Sequence, residues 1–152
     1  MTVSRAEIER RMARFEQVCR QQGLKVTHQR MEVFRELAGT DEHPDAETVY
    51  EAVHRRVPAV SLDTVYRTLA LLEEKGLIRR AEVQSGAVRY DANTDQHHHF
   101  VCTICGLVRD VRYEEIEKVP ISASVRHIGT VLSRHVQLRG LCTRCATGRR
   151  KR

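Results

Sequence analysis

Residues 90–110 read Tyr-Asp-Ala-Asn-Thr-Asp-Gln-His-His-His-Phe-Val-Cys-Thr-Ile-Cys-Gly-Leu-Val-Arg-Asp. Two kinds of metal ligand stand side by side in this stretch. Cys102 and Cys105 make a Cys-x-x-Cys, whereas Asp91, His97, His99 and Asp110 make a separate nitrogen and oxygen set. In an extended strand, alternate side chains face the same side. His97 and His99 therefore share one face and Cys102 takes the opposite parity. One short strand can then serve two ions without mixing their ligands.

Cys142 and Cys145 form a second Cys-x-x-Cys, with Gly140 just before it, as Gly106 follows the first. Two such pairs supply four thiolates for a tetrahedral Zn2+. A closed site of four cysteines keeps no open position, so it is structural rather than catalytic. It would staple the last strand of a small unit to the first. In a reducing cytosol this spacing favours zinc, with disulfide pairing as the alternative. The histidine and aspartate set, lacking sulfur, suits Fe2+, Mn2+ or Zn2+. Histidines that are merely solvated remain the other reading, because a run of three is weak evidence by itself.

Upstream, the chain reads as helices. Ser4-Arg5-Ala6-Glu7 is a capping box, followed by Ile8, Met12, Phe15, Val18 and Cys19 at helical spacing and closed by Gly23. Cys19 lies on that apolar stripe and reads as a core residue. Thr27 opens a second helix ended by Gly39. His43-Pro44 is a tight entry to a third, capped by Asp45 and stopped by Pro58. Ser61 caps a fourth helix over 62–75, with Leu62, Val65, Leu69 and Leu72 as its buried stripe. A β-hairpin then turns at Gln84-Ser85-Gly86.

Short successive helices followed by a β-ribbon are the winged helix-turn-helix pattern. Thr64, Tyr66, Arg67 and Thr68 project from the fourth helix as groove-reading residue types. A solvated helix face is the plainer alternative. Beyond residue 91 the character changes. Residues 100–102, 107–113 and 131–141 read as strands, and 114–128 as a helical segment interrupted by Pro120. The fold class is therefore α+β. A winged helix-turn-helix DNA-binding domain at 1–91 is joined by a linker at 92–96 to a small α/β domain at 97–146. Residues 147–152 form a basic tail.

The totals agree with this. The 152 residues allow one large or two small domains, and 5% aromatics without Trp imply small aliphatic cores. A net charge of +6 and a pI near 9.4 point to a polyanionic partner, nucleic acid first. No apolar run approaches the ~18 residues of a membrane span. The N-terminus lacks a signal-peptide core and reads as that of a cytoplasmic protein. Few aromatics and short loops leave little room for the substrate pocket a metal hydrolase or oxygenase needs, so no enzyme is expected.

The residues 23–30 (Gly-Leu-Lys-Val-Thr-His-Gln-Arg), His43-Pro44, 64–69 (Thr-Val-Tyr-Arg-Thr-Leu), 97–106 (His-His-His-Phe-Val-Cys-Thr-Ile-Cys-Gly) and the Cys142/Cys145 pair together resemble the ferric uptake regulator (Fur) family. They run in family order across nearly the whole chain. The resemblance implies a winged helix followed by an α/β dimerisation domain, with Cys102, Cys105, Cys142 and Cys145 on a structural zinc. It adds His43 to the regulatory set, which becomes His43, Asp91, His97, His99 and Asp110 on Fe2+ or Mn2+. It also adds Lys25, Thr27 and Arg30 to the DNA-binding residues Thr64, Tyr66, Arg67 and Thr68. Aspartate rather than glutamate at 91 and 110 is similar to the peroxide-sensing branch. That branch implies a homodimeric repressor of peroxide-stress genes on a pseudo-palindromic operator, released when His43 or His97 is oxidised. An iron-, manganese- or zinc-responsive repressor of metal homeostasis is the alternative. Two departures stand out. His28 replaces the usual Pro. Gln96 replaces one ligand of a further family site near His98, Glu117 and His135.

Overall fold

Ser4, Thr27, Asp45 and Ser61 each carry a short oxygen-bearing side chain. Such a side chain accepts one of the N–H groups that the first turn of a helix leaves over. In the computed structural model these oxygens take the N–H groups of Glu7, Arg30, Thr48 and Thr64 at 3.2, 3.2, 2.8 and 3.1 Å. The helices so opened are α1 (Arg5–Gln21), α2 (His28–Ala38), α3 (Ala46–Arg56) and α4 (Leu62–Glu74). The expected capping box forms only through Ser4, because the Glu7 carboxylate is taken by Arg10 and Arg11 at 2.8 and 2.7 Å. Gly23 and Gly76 stand just past α1 and α4 with φ of 65° and 68°, the left-handed conformation that ends helices.

The structure describes residues 3–81 and 88–148. The predicted 84–86 turn and the tail from 149 onward lie outside them. The chain divides into two compact units, Met1–Thr94 and Asp95–Arg152.

In the first unit, α1 to α4 close a core around Phe15, Phe34, Leu37, Val53 and Leu69. The Phe15 and Phe34 rings stack at 4.9 Å between centroids. Cys19 lies inside, as expected, and burial pushes its thiol pKa up. The buried stripe of α4 is Val65, Thr68, Leu69 and Leu72. Thr68 is only 4% exposed, which corrects its placement on the outward face. The i, i+3, i+4, i+7 spacing explains this, since it selects 65, 68, 69 and 72 and leaves Leu62 half-buried. Leu69 is fully enclosed. Leu69→Ala is expected to cost roughly 2–5 kcal/mol, read as a lowered thermal midpoint. Strands β1 (Arg79–Ala81) and β2 (Arg89–Asp91) pair antiparallel, with Arg79 opposite Asp91, and complete the winged helix.

The second unit is a three-stranded sheet in the order β4-β3-β5, from β3 (His98–Cys102), β4 (Val108–Val111) and β5 (Gln137–Gly140). Strand β3 runs antiparallel to β4 and parallel to β5. A parallel pair needs a long crossover, and here α5 (Glu114–Glu117) and α6 (Ala123–Ile128) lie in it. The short helix α7 (Thr143–Ala146) follows β5. The expected strand over 131–141 shrinks to Gln137–Gly140. Upstream of it, the Arg134 guanidinium donates to the carbonyls of Ile116 and Glu117 at 3.1 and 3.0 Å, and also to that of Val119. That segment is tied by a side chain rather than by a ladder. Two registers place metal donors: His99 faces Asp110, and Cys102 faces Gly140.

Candidate metal centres

His43 adopts φ 51°, the only positive value among the described non-glycine residues. Such a conformation costs energy and persists where surrounding contacts hold it. Here the contacts come from β2. Tyr90 donates its N–H to the Pro44 carbonyl at 3.0 Å, and Arg89 donates to the His43 carbonyl at 3.4 Å. Pinning this loop to β2 brings His43 Nε2 to 3.3 Å from Asp91 Oδ2. The other Asp91 oxygen accepts the Asn93 N–H at 2.7 Å, which fixes the carboxylate's orientation. Both side chains are buried.

In the second unit, the Nε2 atoms of His97 and His99 lie 2.9 Å apart, their rings edge to face. Asp110 Oδ1 is 3.5 Å from each, delivered by the His99–Asp110 register. The Asp95 carbonyl sits 2.7 Å from His97 Nδ1. A carbonyl only accepts, so Nδ1 carries the proton and Nε2 presents its lone pair. The 2.9 Å spacing is close to that of neighbouring donors at right angles around an ion with bonds of roughly 2.1 Å. The two imidazoles and one carboxylate therefore fit a borderline divalent ion such as Fe2+, Mn2+ or Zn2+.

The four cysteines form the other centre, with all four sulfurs within 4.8 Å of one another. Cys105 and Cys142 are 3.8 Å apart, near the ~3.8 Å edge of a tetrahedron with ~2.3 Å bonds and far from the ~2.05 Å of a disulfide. Gly106, at φ 69°, turns the first knuckle, and the Cys102–Gly140 register carries the second beside it. Backbone N–H groups of Cys105 and Cys142 bring the Cys102 thiol down to about 6. Burial and the neighbouring sulfurs push Cys145 up to about 12. A dication bound among the four sulfurs would favour the thiolate form. Donor type, number and spacing fit a closed structural zinc site.

A surface in the first unit gathers five of the seven expected DNA-binding residues, without Lys25 and Tyr66. Thr27, Arg30, Thr64, Arg67 and Thr68 line an open cleft of about 320 Å3 between the start of α2 and α4. Thr68 contributes from its buried position. Arg30 donates to the Lys25 carbonyl at 2.8 Å, and Arg67 pairs with Asp63 at 2.9 Å on the exposed face. Tyr66 is 44% exposed and donates its hydroxyl to Glu47 at 2.6 Å. That bond pushes the phenol's pKa up. Glu47 was not legible as part of this face, because it lies on another helix.

Of the further site, His98 Nε2 and Glu117 approach to 3.8 Å, but His135 does not join them. His98 Nδ1 accepts the Val136 N–H at 3.2 Å, and Gln96 donates its amide to Glu117 at 2.7 Å. His135 instead approaches His99. Among the described residues, these three form no metal-competent cluster.

The fold and these donors define a class, a winged-helix regulator whose second unit answers to metal. Over residues 21–138 the sequence matches the ferric uptake regulator family, and the chain belongs to it. The peroxide-responsive repressor PerR of Staphylococcus aureus is 27% identical over 145 residues, 95% of this chain and 98% of that protein. The ferric uptake regulator of Helicobacter pylori superposes with a TM-score of 0.77 at 24% identity, over 91% of this chain and 93% of its own. A zinc uptake regulator complexed with zinc and DNA superposes with a TM-score of 0.63 at 26% identity, over 93% and 96%. No helix among the described residues is long and apolar enough to cross a membrane.

Proposed function

We propose that this chain is a metal-dependent transcriptional repressor of peroxide-stress genes, with Cys102, Cys105, Cys142 and Cys145 on structural zinc. One Fe2+ or Mn2+ is held jointly by His43 and Asp91 and by His97, His99 and Asp110. The observation that carries this reading is the pairing of two oriented histidines with Asp110, alongside a second histidine–aspartate pair at His43 and Asp91. Family membership and the resemblance to a peroxide-responsive repressor support it.

Holding one ion from both sets of donors sets how two copies, related by twofold symmetry, present their α4 helices. The matching operator is a pseudo-palindromic duplex, as twofold dimers require. Lys25, Thr27, Arg30, Thr64, Tyr66 and Arg67 supply the contacts, the cations to phosphate and guanine edges, Thr and Tyr to thymine methyls and phosphates, while Thr68, expected among them, is buried and only lines the cleft. Bound Fe2+ would supply redox chemistry toward hydrogen peroxide, by which one peroxide oxygen would pass to a ligand histidine, His43 or His97, as 2-oxo-histidine and the other would leave as water. The altered ring would no longer hold the ion, and DNA would be released.

Mass spectrometry of the Fe2+-loaded protein after peroxide treatment tests the proposal. Added oxygen on His43 or His97, absent from the Mn2+ form, is the expected result. Neither histidine gaining oxygen removes the peroxide reading and leaves a repressor answering to metal supply.

A further inference from the structure

The ring geometry in the second unit points to an outer partner for His99. His97 is already fixed: its Nδ1–H is spent on the Asp95 carbonyl at 2.7 Å. His99 shows the same arrangement with a different acceptor. Its Nε2 faces His97 and Asp110, and its Nδ1 lies 3.3 Å from Nε2 of His135. Coordination through Nε2 would leave the ring proton of His99 on Nδ1, where His135 Nε2, 3.3 Å away, is placed to accept it. Ligating histidines are oriented, and made more basic, by such acceptors.

The His135 ring also bonds the His97 backbone, and its Nε2 is the nitrogen turned to His99. Gln96 donates its amide to Glu117 at 2.7 Å and to the Arg134 carbonyl at 3.4 Å. The Glu117 carboxylate is thus engaged by the amide and lies 3.8 Å from His98 Nε2 rather than at His135. His98 accepts the Val136 N–H at 3.2 Å, and its ring stands 6.2 Å from that of His135. The Val136 carbonyl in turn accepts the His99 N–H at 3.1 Å, so the backbone beside His135 is locked to β3.

We infer that His135 is the positioning residue of the regulatory centre, accepting the His99 Nδ1 proton, and that it is not itself a metal ligand. This rests on the reading that His97, His99 and Asp110 hold a divalent ion, and not on the peroxide chemistry. Because His135 is exposed, replacing it leaves the core intact.

The test uses the full-length, zinc-loaded protein and Mn2+ as probe, titrated against a competing chelator. His135→Leu removes the acceptor, and His135→Gln restores an oxygen near the place of Nε2. His99→Ala reports loss of the centre itself. His135→Leu is expected to weaken Mn2+ binding roughly 10–100-fold, with zinc content and circular dichroism unchanged. His135→Gln should recover most of that loss. In the Co2+-loaded protein, the exchangeable Nδ1 proton of His99 should be slowed in exchange in wild type and fast in His135→Leu. Equal Mn2+ affinity in wild type and His135→Leu overturns the inference while leaving the centre standing. An additional equivalent of metal that vanishes in His135→Leu makes His135 a ligand and also overturns it. Wild type that binds no Mn2+ through His99 overturns both readings together.

Discussion

Cys142→Ser is expected to abolish zinc retention and to unfold the second unit. The unit has little else to hold it, for its sheet is three short strands and its buried apolar residues are few. The Cys142 backbone also donates to Cys102 Sγ at 3.3 Å, so the two knuckles depend on each other. Apparent zinc binding at such sites contributes roughly 10–16 kcal/mol, more than a small domain's whole stability. Serine is a poor zinc ligand and forfeits most of that. Zinc content, far-ultraviolet circular dichroism and the elution volume of the dimer should all change together. A variant that loses zinc yet keeps its fold and its elution volume would show that the thiolate site is dispensable.

His97→Ala has the opposite profile, with an intact protein that no longer responds to metal. Its ring is held by the Asp95 carbonyl and faces His99 and Asp110, and neither the thiolate site nor the helical core involves it. Losing one nitrogen donor lowers the differential affinity of the ion for the DNA-competent state. About 5.5 kcal/mol moves such an equilibrium from about 1:99 to 99:1, so losing one ligand's part of it shifts the population well away from the bound state. Gel shifts on operator DNA should show Mn2+-dependent binding in wild type and none in His97→Ala, with equal zinc content in both. Metal-dependent binding that survives the substitution would remove His97 from the ligand set.

Most local structure is legible in the sequence because it rests on nearest neighbours along the chain. Ser4, Thr27, Asp45 and Ser61 announce their helices through capping chemistry that spans three residues. Gly23 and Gly76 announce the stops. At Thr68 two sequence signals conflict: polarity places it outside, helical spacing places it inside, and spacing prevails. The strand expected from residue 131 fails for a related reason. Leu132 and Val131 have strand-like side chains, yet the segment finds no ladder partner, and Arg134 binds it to carbonyls near α5 instead.

Ligand chemistry is written in the chain itself. Two Cys-x-x-Cys pairs, alternating histidines and two aspartates specify donor type and number, because metals select donors by charge and softness. Chain order alone does not supply the geometry. The parallel β3–β5 register that brings Cys142 beside Cys102, the β2 contacts that hold His43 at a positive φ, and the turn of His135 toward His99 all join residues far apart in sequence. Such contacts are decided only when the whole unit closes, since each depends on strand pairing and side-chain bonds that no local stretch encodes.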